Sequence, residues 1–105
     1  ISKKDLLLQQ LQAQENASHQ VQSAMEQIYE SLQIAQARKE AVEQVNEGYN
    51  RAQIRLDNGL GSTLELIEAL LQVREAELNY AQTVFNYLSA KANYDLAIGR
   101  VPLID

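Results

Sequence analysis

The chain has 105 residues, a formal charge of −5 and no cysteine, which excludes disulfides and thiolate metal sites. Acidic and basic residues are interspersed, and no Lys/Arg cluster is long enough to follow a phosphate backbone, so nucleic acid is not expected as a partner. One proline, four glycines and an abundance of Gln, Glu, Ala and Leu suit long helices or a coiled coil rather than a compact core.

No apolar run approaches the roughly 20 residues that span a bilayer as a helix. The chain begins without Met, with no signal peptide ahead of Ile1, and reads as a segment of a longer protein.

The first predicted element is a helix over residues 4–57. Leu7, Gln14, Val21, Ile28, Ala35, Val42, Tyr49 and Leu56 recur every seven positions, a sustained heptad seam. Leu11, Met25 and Leu32 accompany it four residues on, and Ala24, Val45 and Ala52 three residues on. The remaining positions are mostly Gln, Glu, Asn, Lys and Arg, a solvated face.

Residues 58–62 read as a tight turn. Asn58-Gly59 supplies residues that tolerate φ > 0 and end a helix. Ser62-Thr63-Leu64-Glu65 is an S-x-x-E capping box that starts the next one.

The second helix is predicted over residues 62–98, with Gly99 and Pro102 ending it and a tail at 99–105. Leu64, Leu71, Leu78, Phe85 and Ala92 form one apolar column, and Leu66, Val73, Tyr80, Tyr87 and Tyr94 form another. The two columns face nearly opposite ways, so this helix needs neighbours on both sides. Leu71, Leu78 and Phe85 are assigned to the intrachain seam, and the tyrosines at 80, 87 and 94 to packing against another hairpin. Ala69, Ala76, Thr83, Ala90 and Ala97 form a line of small residues that lets a helix approach closely. A polar stripe runs from Glu65 and Glu68 through Gln72, Glu75, Asn79 and Gln82 to Asn93.

The expected fold is therefore all-α, a long antiparallel two-helix coiled-coil hairpin treated as one unit. At 1.5 Å per residue the helices would be about 80 and 54 Å long. The stretch before Val21 is then left without an intrachain partner.

Nothing in the chain assembles a nucleophile with a base, a phosphate loop or paired catalytic acids, so no enzyme activity, metal or cofactor is expected. His19 is the only histidine, and with Glu15 one turn before it reads as a solvated residue rather than a metal ligand. The tyrosine column reads as packing before it reads as a stacking platform. Glu65 and Glu68 share one side of the helix just after the turn. They are either first-turn acids that complement the helix dipole or part of a functional acidic cluster.

The stretch Tyr49–Gly99 resembles the C-terminal helical hairpin of the TolC family of outer-membrane efflux proteins. The likeness rests on Arg55, Gly59-Leu60-Gly61-Ser62, the run Glu65-Leu66-Ile67-Glu68-Ala69, Tyr87-Leu88 and Ala97-Ile98-Gly99. It covers about half the chain closely, and the first helix agrees in character. The resemblance implies a trimeric channel whose hairpins stand side by side as a periplasmic α-helical barrel, continued by a β-barrel in the outer membrane. It implies a periplasmic adaptor protein and an inner-membrane transporter as partners. Asn58, Gly59, Leu60, Gly61 and Ser62 would be the adaptor-docking tip, and Glu65 and Glu68 would line the pore constriction. Gly61 stands where some members carry an Arg that ties the closed state.

Two other readings stay open: the coiled-coil hairpin of a periplasmic adaptor, and a purely structural coiled coil. The adaptor tip would carry Arg, Leu and Ser at wide helical spacing, which this turn does not show. A structural coiled coil would not need apolar columns on two opposite faces of one helix.

Overall fold

The computed structural model describes residues 2–99. The predicted tail beyond Gly99, with Pro102, lies outside the described residues. Two helices account for nearly all of it: α1 spans Lys3–Asp57 and α2 spans Thr63–Gly99. They form an all-α hairpin measuring 85 × 18 × 14 Å, with no strand among the described residues. Helix α1 starts one residue earlier than the heptads suggest, because Ser2 caps it: the Ser2 hydroxyl accepts from the Asp5 N–H at 3.3 Å. Ser62 lies outside α2 as its cap rather than inside it, and α2 runs one residue further, to Gly99.

The α1 heptad line lies in the seam, with Gln14, Val21, Ile28, Ala35, Val42, Tyr49 and Leu56 all half-buried and Ala17 and Ala24 buried beside them. The seam thus reaches further toward the start of α1 than Val21. From Ser2 to Ala13 every side chain is exposed, including Leu6, Leu7, Leu8 and Leu11. Met25 and Leu32 are exposed on the shoulder of the seam, not within it.

On α2 the assignment of the two columns is reversed by the structure. Val73 is 4% exposed, and Leu66, Tyr80, Tyr87 and Tyr94 are half-buried, so the tyrosine column packs on α1. The column expected in the intrachain seam faces out: Leu64, Leu71, Leu78 and Phe85 are 63, 63, 71 and 64% exposed. The small line belongs to the seam as well, with Ala69 and Ala76 half-buried and Thr83, Ala90 and Ala97 buried. The Thr83 hydroxyl, the one polar side chain among these, donates to the Asn79 carbonyl at 2.9 Å.

The physical reason is size matching. Shallow grooves bring Ala24 beside Ala97 and Ser31 beside Ala90. The heptads then set Ser31 across from Tyr87, Ala24 across from Tyr94, Ile28 across from Ala90 and Tyr49 across from Ala69. Several large side chains thus fall across from small ones, which lets the helices approach closely. A column of leucines and Phe85 has no matching column of small residues on α1.

Candidate functional surfaces: the tip and the two flanks

The tip is held by backbone bonds that also stop α1. The Asn58 N–H donates to the Ile54 carbonyl at 3.1 Å, Gly59 N–H to Leu56 at 3.0 Å and Leu60 N–H to Arg55 at 2.7 Å. The last two form a Schellman stop, with Gly59 in the left-handed region at φ 76°. Asn58 itself has φ −92°, so it needs no left-handed tolerance; its side-chain amide donates to the Ile54 carbonyl at 2.9 Å instead. The second left-handed residue is Gly61, at φ 74°. A Cβ there would stand 2.7 Å from a Glu65 carboxylate oxygen and 3.7 Å from Arg55 Nε. The left-handed φ selects glycine at 61, whereas the atom nearest such a Cβ is the free end of the flexible, exposed Glu65 side chain, which can move aside.

Ser62 opens α2 by accepting the Glu65 N–H at 3.2 Å, one half of the predicted capping box. The Glu65 side chain leans back over Gly61, between the turn and Arg55. Glu68 is exposed one turn further on, on the same flank. The tip residues Asn58, Gly59, Leu60, Gly61 and Ser62 are all exposed. Leu60 keeps 59% of its surface open although it occupies the stop-motif position that commonly packs back on the last helical turn.

Away from the tip, the hairpin has two unlike flanks. On one, Gln20, Ser23 and Gln27 of α1 share grooves with Asn86, Ser89 and Asn93 of α2, with His19, Glu30 and Leu96 at their edges. The heptad places Gln72, Asn79, Glu65, Glu68 and Glu75 on this same flank toward the tip. The opposite flank carries Ile67, Leu70 and Leu88 from α2, and Met25, Tyr29 and Leu32 from α1, all of them exposed, and the outward column lies beyond it on the back of α2. Ile67, Leu70 and Leu88 are not part of either predicted column. Their signal was the heptad itself, since they occupy the lines adjacent to Leu64, Leu71 and Phe85.

His19 is exposed at the edge of two shallow grooves, with Glu15 lining one of them. Among the described residues no three His, Asp or Glu side chains converge as a metal site would require. The one ion pair among the described residues, Arg74–Glu77 at 3.1 Å, is exposed and local to α2. Among the described residues, no helix is long and apolar enough to cross a membrane. Comparison with family models, with curated proteins and with solved structures gave no match.

Proposed function

We propose that this chain is the periplasmic helical hairpin of an outer-membrane efflux or secretion channel of the TolC kind. In this reading it is one stave of a trimeric α-helical barrel, a conduit with no chemistry of its own. The observation that carries the proposal is the outward column of α2. Leu64, Leu71, Leu78 and Phe85 run almost the length of the helix with most of their surface open, after the intrachain seam is already complete. A hairpin that folded for itself alone would gain nothing from such a column. A stave with a neighbour on its flank buries it, at about 25 cal/mol per Å² of apolar surface. The polar flank suits the water-filled side of such a wall, and the motifs of the turn and of α2 point the same way.

The tip, Asn58 to Ser62, serves in this proposal as the adaptor-docking surface, with an inner-membrane transporter beyond it. Glu65 and Glu68 form the acidic pore constriction, although Glu65 also has a local role at the turn.

Two substitutions test the proposal in the full-length protein. Leu71→Asp with Leu78→Asp should leave the isolated hairpin helical but abolish trimer assembly in the outer membrane. Leu60→Asp should leave trimers intact and remove both efflux and cross-linking to the adaptor. Normal trimers in the first variant would overturn the wall, and full efflux in the second would reduce the tip to a turn.

A further inference from the structure

Ala17 is buried more completely than α2 can account for. The grooves that set Ala24 beside Ala97 and Ser31 beside Ala90 fix the register of the seam, and by the same count Gly99 is level with Gln22. Ala17 lies five residues beyond that level, about 7.5 Å at a rise of about 1.5 Å per residue. It is nevertheless 6% exposed, and Gln14, nearly a turn further out, is half-buried.

Neither helix supplies the cover. Helical side chains tilt toward the N-terminus of their own helix, so the last side chains of α2 lean toward the tip and away from Ala17. The neighbouring turns of α1 do not bury an alanine by themselves, because Ala13 and Ala37 on the same helix are exposed. What covers Ala17 and Gln14 therefore follows Gly99 in the chain.

Residues 100–105, Arg100-Val101-Pro102-Leu103-Ile104-Asp105, have the composition and the reach for this. Pro102 has no N–H to give a helix, and it biases Val101 toward extended backbone. In an extended chain alternate side chains share a face, so Val101 and Leu103 point the same way. At about 3.3 Å per residue, Val101 comes about 6.6 Å past Gly99 and Leu103 about 13 Å. The levels of Ala17 and Gln14 are about 7.5 and 12 Å past it, so two apolar side chains on one face arrive at the two covered positions.

We infer that residues 100–105 form a strap along the start of α1, with Val101 on Ala17 and Leu103 on Gln14. The strap carries the seam about two helical turns past the end of α2. Six extended residues span about 20 Å, so Leu6 and Leu7 lie beyond the strap and stay open. Being farthest from the turn that joins the helices, this contact is the last part of the seam to form and the first to open. It is independent of the channel reading, which concerns the tip and the outward column.

The absence of cysteine allows the contact to be trapped in the whole chain. Ala17→Cys with Val101→Cys should close a disulfide within one molecule under mild oxidation. The pair His19→Cys with Val101→Cys places its first thiol on the opposite side of α1, and it should react at least about tenfold more slowly. Mass spectrometry of the oxidised chain separates a link within one molecule from a link between two. Independently, Val101→Asp with Leu103→Asp should speed amide exchange over residues 14–20 and leave residues 42–49 unchanged, with circular dichroism confirming that the hairpin keeps its helices. Equal disulfide rates at positions 17 and 19 would overturn the strap, as would exchange over 14–20 that ignores the two aspartates. A disulfide that joins two molecules would sink it too, because a second copy would then be what covers Ala17.

Discussion

The two apolar faces of α2 are built from different residues. The face toward α1 is made of alanines, Thr83, Val73 and three tyrosines, while the outward face carries Leu64, Leu71, Leu78 and Phe85. Bulk therefore does not identify the intrachain seam in this hairpin. The seam is the face whose sizes alternate against the partner helix, and the bulky face is the one left for a neighbour. Pairs such as Ser31 with Tyr87 and Ala24 with Tyr94 spend the large side chains of α2 where α1 is small.

The sharpest way to break this comparison is to place one charge on each face. Val73→Asp buries an unpaired carboxylate in the seam and should cost on the order of 3 kcal/mol in urea denaturation of the hairpin. Leu78→Asp, on the outward face, should stay within about 0.5 kcal/mol. Equal losses would mean that the two faces are not distinct. Next in size is the replacement of Tyr80, Tyr87 and Tyr94 by Ser, which should lower the helicity of the isolated chain, whereas Leu64, Leu71 and Leu78 changed together to Ser should lower only its self-association in sedimentation. The reverse pattern would restore Leu71, Leu78 and Phe85 to the intrachain seam.

The turn was largely legible because its signals are local. Gly59, Ser62 and the Glu65 cap can be read from neighbours within a few residues. Gly61 was not, because its need for glycine comes from a left-handed φ set by the path of the turn into α2. The seam resisted a one-dimensional reading for a different reason. Which column of α2 meets α1 depends on register across the hairpin, and only the match of Tyr49 to Ala69 or Ile28 to Ala90 carries that information.

Smaller effects should rank the parts of the tip. Gly61→Ala should cost about 1–2 kcal/mol, from the left-handed conformation and from moving the Glu65 carboxylate aside. Gly59→Ala meets nothing within 4 Å and should cost about 1 kcal/mol. Adding Glu65→Ala should narrow the gap between them, and an unchanged gap would show that the carboxylate yields freely. Ser62→Ala removes the cap bond and should cost about 1 kcal/mol. Smallest is Arg74→Ala, which loses an exposed pair one helical turn apart and should change stability by a few tenths of a kcal/mol.

The hairpin is tied at one end only, and that arrangement gives folding a direction. Seam pairs close to the Schellman stop, such as Ala52 with Leu66, close the shortest loops. Val21 with Ala97, at the far end, closes a loop more than two doublings longer, at about 0.6 kcal/mol for each doubling. The two helices should therefore zip from the tip toward the open end, with the tip pairs formed in the transition state and the open-end pairs formed last. Breathing runs in the opposite order, so amide exchange should be slowest around Val45 and Val73 and grow faster toward Val21 and Ala97. The part of the molecule proposed to meet other proteins is then the first to take its shape.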